Sequence, residues 1–203
     1  MTNEKASCGD NAVASLLANV TIPEGMGVEG FYKVECRDAS GNLKWEEEFP
    51  NLVVAVGKQL MLDTLLRTSG TYTTVGPFLG LTKVSLTPAA TDTMTTLVTT
   101  NAAEFTNYTV GGSAVRGTAV FAAATSTGST PSNVTTSAAT AITYTITGAG
   151  GTVYGCFLVT GTGAVSTQSS TAGTLYSEGN FSTAKATTAG DTVSVTYSTT
   201  ATS

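Results

Sequence analysis

Threonine-rich alternation runs through the last two thirds of this 203-residue chain and constrains its fold more than any other feature. Residues 68–203 contain only four acids and three bases, whereas residues 1–67 contain ten acids and six bases. Threonine is β-branched and suits a pleated, half-exposed surface, and long threonine-rich alternation is rare in stable helices. Glycine and serine between these runs supply turns. The sequence therefore predicts many short strands in this part of the chain.

A β-hairpin is predicted over residues 30–49, before the threonine-rich part. Two runs in which apolar and charged residues alternate flank the turn-forming segment 38–42. Such alternation gives a hairpin one dry face and one wet face. The dry face is predicted to contain Tyr32, Val34, Cys36, Leu43, Trp45 and Phe49. Glu47 also falls on this face, so we expect it to pair with a base or to lie at an edge.

One helix is predicted, over residues 58–67, after a brief apolar strand at residues 51–56. The helix carries an apolar stripe that should cover one end or side of the sheet. The stripe consists of Met61, Leu62, Leu65 and Leu66, and the expected solvent face consists of Gln59, Asp63 and Arg67.

Further strands are predicted between residues 71 and 198, separated by connectors rich in glycine, serine and threonine. The strand segments are 78–82, 114–123, 142–146, 153–159, 175–181 and 193–197. Residues 153–159 are apolar on both faces, which indicates a central strand. Many short strands with one helix predict an all-β, antiparallel, jelly-roll-like β-sandwich. Residues 1–27 are expected to form an extended N-terminal arm, and residues 28–203 the sandwich domain.

Histidine is absent from the whole chain, which removes the usual general base and the commonest transition-metal ligand. Paired carboxylates can hydrolyse glycosides, but the candidates stand alone along the sequence, without aromatic residues that would stack on sugar. These candidates are Asp92, Glu104, Glu178 and Asp191. The oxygen-rich segment 38–42 lacks the extended loop and terminal glutamate of a calcium-binding EF-hand, so a hairpin turn is favoured there. We expect no enzyme activity, no cofactor and no metal.

Charge and cysteine content restrict the partners. The net charge is −5 and lysine and arginine nowhere cluster, so no nucleic-acid binding is expected. No apolar run reaches the roughly 18 residues of a membrane helix and no signal peptide is evident, so we expect no membrane association. Cys8, Cys36 and Cys156 match no zinc spacing, and reduced cysteines in a protein made in the cytoplasm are expected.

The acidic run Glu46, Glu47 and Glu48 has two interpretations. Such a run is usually a solvated edge. The functional alternative is an assembly contact with basic residues of a partner, and these three residues are the predicted contact site.

The order of segments resembles a family of small virion structural proteins of tailed bacteriophages, often called cement or decoration proteins. The similarity covers roughly residues 28–198 and lies in segment order, not in a catalytic motif. It is carried by the hairpin 30–45, Asn51–Val54, the leucine-rich helix, Phe78–Leu81, Asp92–Met94, Phe105–Tyr108, Arg116–Phe121, Gly173–Ser177, Gly179–Phe181 and Gly190–Tyr197. Residues 95–104 depart from the family pattern, which has an aromatic residue and a histidine there.

The resemblance implies a subunit on the capsid exterior that binds the assembled head and stabilises it. Its expected partner is the major capsid protein, with homo-oligomerisation as a dimer or trimer on the lattice, and its expected location is the virion surface. A tail-fibre or receptor-binding tail component is the alternative, because such proteins are also β-built and rich in threonine and glycine.

Overall fold

The computed structural model describes residues 27–67, 75–125, 132–134 and 141–202. These residues form twelve strands, one α-helix and one π-helical turn. The strands are β1 (Gly27–Arg37), β2 (Leu43–Pro50), β3 (Leu52–Val53), β4 (Phe78–Thr82), β5 (Glu104–Phe105), β6 (Tyr108–Thr109), β7 (Gly117–Thr118), β8 (Ser132–Val134), β9 (Ile142–Ile146), β10 (Gly151–Thr160), β11 (Thr174–Thr187) and β12 (Thr192–Thr202). The helix α1 spans Ala55–Leu66 and the π-helical turn spans Thr96–Thr100.

Two antiparallel sheets face each other, which confirms the predicted all-β sandwich with one short helix. Sheet A has the order β2-β1-β12-β9-β6, with β8 also paired to β12. Sheet B has the order β3-β11-β10-β4-β5, with β7 also paired to β4. The predicted arm at residues 1–27 lies outside the described residues except for Gly27, which begins β1.

The main core lies between the sheets and contains hydrogen-bonded tyrosines. Tyr32 of sheet A bonds its hydroxyl to Ser177 Oγ of sheet B at 2.8 Å, and Tyr144 donates to the Leu79 carbonyl at 2.7 Å. Both tyrosines are fully buried. Because a buried hydroxyl without a partner would be costly, these bonds satisfy polar groups while they join the two layers.

The predicted hairpin is present, but one residue of its dry face is not. Asp38 Oδ1 accepts hydrogen bonds from the N–H groups of Ser40 and Asn42, which confirms the turn. The β1–β2 register then shifts between Cys36 and Arg37, as in a β-bulge. The bulge changes the alternation near the turn, and Leu43 is 48% exposed instead of buried.

A third layer covers the outer face of sheet B. It consists of α1 and residues 83–103, which we call the cover segment. A second apolar cluster lies beneath this layer and contains Met94 and Leu97 of the cover segment with Phe157 and Val159 of β10. Strand β10 therefore has apolar side chains on both faces, as the sequence predicted for a central strand.

Helix α1 differs from the prediction in extent and in orientation. It begins at Ala55, not at residue 58, and the predicted strand at 51–56 is reduced to β3. Gly57 packs directly on Tyr176 of β11, where an added Cβ would lie 2.6 Å from the Tyr176 carbonyl oxygen. This close approach turns the helix so that Met61 packs against the core while Leu62, Leu65 and Leu66 remain exposed.

Of the other predicted strands, most are present and one is not. The predicted segments at 78–82, 142–146, 153–159, 175–181 and 193–197 all lie in long strands of the two sheets. Residues 114–123 form only the short β7, and Val120 is 66% exposed. The prediction of a full strand there was wrong, because Arg116 bonds instead to the segment at 165–170.

Candidate interaction surface

Three leucines of α1 form the most exposed apolar group of the described residues. Leu62, Leu65 and Leu66 are 49%, 74% and 75% exposed, and we call them the leucine face. Large apolar side chains in one exposed group are typical of a binding surface, whereas single exposed ones need no explanation. The sequence showed these leucines, but their exposure follows from the packing of Gly57.

Glu47 of the predicted contact site is used inside the subunit. Its Oε2 lies 2.7 Å from Lys185 Nζ, and its Oε1 accepts a hydrogen bond from the Ser182 N–H at 2.5 Å. Burial opposes the charge on Glu47, but the Lys185 ammonium and the Ser182 amide outweigh it and lower the pKa of this carboxyl. The predicted base partner of Glu47 is therefore present, and it links β2 of sheet A to β11 of sheet B.

Glu46 and Glu48 lie on the exposed face of the same strand. In the β1–β2 register, Glu48 is opposite Lys33 and Glu46 is opposite Glu35, which pairs with Arg37. Of the three predicted contact residues, Glu46 and Glu48 are thus the two that face solvent. Their role as an assembly contact remains a prediction.

Two of the four carboxylates that seemed isolated in the sequence have cationic partners. Asp191 Oδ2 lies 2.5 Å from Lys44 Nζ and also accepts the Thr188 N–H at 2.8 Å. Burial alone would raise the pKa of Asp191, but Lys44 and Thr188 lower it. Glu104 forms a buried ion pair with Arg116.

The other two carboxyl groups, Asp92 and Glu178, lie near each other in the fold. Glu178 is buried in β11, and burial together with the nearby Asp92 of the cover segment raises its pKa to about 8. The expectation that all four acids stand alone was therefore wrong, because the fold brings together residues far apart in sequence.

The thiols in the described part of the chain are buried and free, as expected for structural cysteines. Burial raises the pKa of Cys36 to about 11 and raises the pKa of Cys156 further. A thiol is reactive mainly as its thiolate, so both thiols are unreactive in the folded state. Cys8 lies outside the described residues.

No group of three or more potential metal ligands occurs among the described residues. Within those ranges, no helix is both long and apolar enough to cross a membrane.

Comparison with known proteins identifies no relative. No protein-family model matches the chain, and no curated protein or solved structure matches it either. Functional inference therefore depends on the geometry of this chain and on the order of its segments.

Proposed function

We propose that the protein is a bacteriophage virion structural protein, a capsid cement or decoration subunit that binds the assembled head. The observation that supports this proposal most directly is the leucine face, an exposed apolar group on a helix fixed to a rigid sandwich. The segment order that resembles phage cement proteins supports the same function. The proposed partner is the major capsid protein, and the proposed location is the outer surface of the virion.

The small area of the leucine face favours a partner present in many copies on a lattice over a dimer of this chain in solution. Three partly exposed leucines bury a few hundred Å² at most, whereas a stable pair of proteins typically buries about 800 Å² on each partner. A contact of this size is weak when it forms once. On a capsid lattice, copies that also associate with one another as dimers or trimers would add such contacts into strong binding.

The low charge of the chain suits this role. Only 11% of the residues are charged, and the ion pairs Glu104–Arg116 and Lys44–Asp191 neutralise part of that charge within the subunit. Few charged side chains therefore need to be desolvated when a partner covers the surface. A subunit that binds only the assembled shell stabilises that shell by mass action.

Glu46 and Glu48 supply a second, electrostatic contact in the proposed complex. Exposed charges at the rim of an interface mainly affect the association rate and its dependence on salt. We expect them to face basic residues of the capsid protein, with the leucine face supplying the apolar anchor.

The test is binding of purified variants to heads that lack the protein. Leu65→Ser combined with Leu66→Ser should reduce the bound copies at least tenfold without unfolding the sandwich, because both side chains are already exposed. Val120→Ser, which changes an equally exposed apolar residue elsewhere, is the matched control. Wild-type binding by the double variant would contradict the proposed surface.

Copy number distinguishes the proposed function from the tail alternative. A cement subunit should be present in hundreds of copies per particle, and particles without it should lose heat resistance while they still adsorb. A handful of copies per particle, or failed adsorption without it, would instead support a tail component.

A further inference from the structure

Glu178 is a carboxyl group buried without a compensating cation. It is 1% exposed, and its Oε1 atom receives no hydrogen bond from the described part of the chain. Its cross-strand partners are Phe157 of β10 and Leu52 of β3, which both belong to the apolar cluster under the cover segment. An ionised carboxylate at this position would lose its hydration with few polar contacts to compensate for the loss.

Asp92 of the cover segment is the ionisable group that acts on Glu178. Asp92 lies close enough to Glu178 to raise the pKa of that carboxyl, and Asp92 Oδ2 accepts the Ala89 N–H at 2.7 Å. Two neighbouring carboxyl groups repel each other when both are ionised, so a proton on one of them is favoured. Burial, and then the contact with Asp92, raise the pKa of Glu178 to about 8, while the Ala89 amide acts in the opposite direction.

The charge of Arg116, which lies over Phe157, is already neutralised. The Arg116 guanidinium lies 5.2 Å from the centroid of the Phe157 ring, beside Glu178 in the sheet, but it pairs with Glu104. The neighbours from β3 and β10 are uncharged, and none of the ion pairs among the described residues includes Glu178. A proton is thus the group that can neutralise the Glu178–Asp92 pair.

The pair joins the cover segment to sheet B. Asn180, two residues further along β11, holds the same segment by bonds to the Leu86 N–H at 3.1 Å and the Leu86 carbonyl at 2.7 Å. The Ala55 N–H of α1 donates to the Ala90 carbonyl at 2.8 Å. Hydrogen bonds therefore attach the cover segment at two points, and the approach of Asp92 to the buried Glu178 is a third that depends on a proton.

We propose that Glu178 is protonated in the folded protein and that opening of the cover segment releases this proton, which makes the segment a pH-sensitive cover. When the segment opens, water reaches Glu178 and its pKa returns to the ordinary value of 4.5. Between pH 4.5 and about 8, the closed state holds a proton that the open state does not. The opening equilibrium constant should then rise tenfold per pH unit in this window and level off above it.

Hydrogen exchange of the Leu86 and Ala55 amides, whose acceptors lie across the contact, measures the opening directly. After correction for the intrinsic exchange rate, the opening constant of the wild-type protein should increase about a hundredfold from pH 5.5 to 7.5. Glu178→Gln should remove this dependence, because an amide can donate to Asp92 at every pH. Glu46→Gln, which changes an exposed carboxylate, should retain the wild-type dependence.

Two results would overturn the proposal. One is an opening constant with the same pH dependence in Glu178→Gln as in the wild type. The other is exchange of Leu86 and Ala55 at the rate of the core amides of β12, which would mean that the segment opens only with global unfolding.

A carboxyl titration gives an independent readout that needs no variant to be stable at every pH. The Glu178 side-chain carbon, followed by ¹³C NMR, should titrate near pH 8, and a midpoint near 4.5 would exclude a protonated pair. Asp92→Asn should move the midpoint below that of the wild type, since the asparagine amide can donate to an ionised Glu178. None of these measurements depends on the proposed capsid function.

Discussion

Arg116 binds both carboxylate oxygens of Glu104 inside the protein. The Nε–Oε1 distance is 2.8 Å and the Nη2–Oε2 distance is 2.7 Å, and the arginine is only 1% exposed. Arg116 Nη2 also donates to the Ser170 carbonyl, and the Ser169 N–H donates to Glu104. The pair therefore connects β5 to two long loops that otherwise have few strand hydrogen bonds.

Removing the arginine of this pair should destabilise the protein strongly. Arg116→Met leaves the Glu104 charge buried and unpaired, and we expect a loss of about 3–5 kcal/mol in the free energy of unfolding, measured with urea. The exposed Arg37 pairs with Glu35, and Arg37→Met should cost less than about 1 kcal/mol. The double variant Glu104→Gln with Arg116→Met should be more stable than Arg116→Met alone. Equal, small losses for the two single arginine variants would contradict this account.

Gly57 fixes the position of helix α1 and hence the exposure of the leucine face. In Gly57→Ala, the new methyl group would meet the Tyr176 backbone at 2.6 Å from its carbonyl oxygen, which a rigid strand cannot relieve. We expect a loss of about 1–3 kcal/mol despite the higher helix propensity of alanine. Lys58→Ala, at the adjacent exposed position, should change the stability by less than about 0.5 kcal/mol. A stabilising Gly57→Ala would show that the helix does not approach the sheet so closely.

The sequence predicted those elements whose signal is local. Residues 142–146 alternate strictly and form β9, and the segment around Phe157 is apolar on both faces and forms the central strand β10. Local patterns also located the hairpin. They did not reveal the bulge that exposes Leu43, because register depends on hydrogen bonds between strands and not on the order of residues within one.

The orientation of the helix and the pairing of the charged groups depend on contacts that local sequence patterns do not predict. A stripe of leucines usually marks the buried face, yet here the smallest residue of α1 makes the closest contact and the leucines point outward. Likewise, Asp92 and Glu178 are brought together from separate parts of the chain, and neither has a distinctive neighbour in the sequence. The position of Glu47 on the dry face predicts either a base partner or an edge position, and only the fold identifies Lys185 as its base.

The Lys44–Asp191 pair should contribute to acid sensitivity. Because the folded state lowers the pKa of Asp191, its contribution is present above about pH 4 and is lost as the pH falls through the lowered value. Asp191→Asn should therefore flatten the loss of stability between pH 5 and 2 and cost about 1.5–3 kcal/mol at pH 7. Lys44→Gln should have a similar effect, and the two changes together should cost less than their sum, because both remove one interaction. Strict additivity in urea unfolding would contradict a direct pair.

The buried thiols should respond only to unfolding. In a Cys8→Ser background, which leaves Cys36 and Cys156, a thiol reagent at pH 8 should label the native protein very slowly, because burial raises the pKa of both groups and blocks access. Labelling in denaturant should be rapid and should count two thiols. Added urea below the unfolding transition should accelerate labelling in proportion to the unfolded fraction, since both residues lie in central strands of the core. Rapid labelling of either thiol without denaturant would show that its strand opens locally, and Cys36, next to the β1–β2 bulge, is the position at which such opening would occur first.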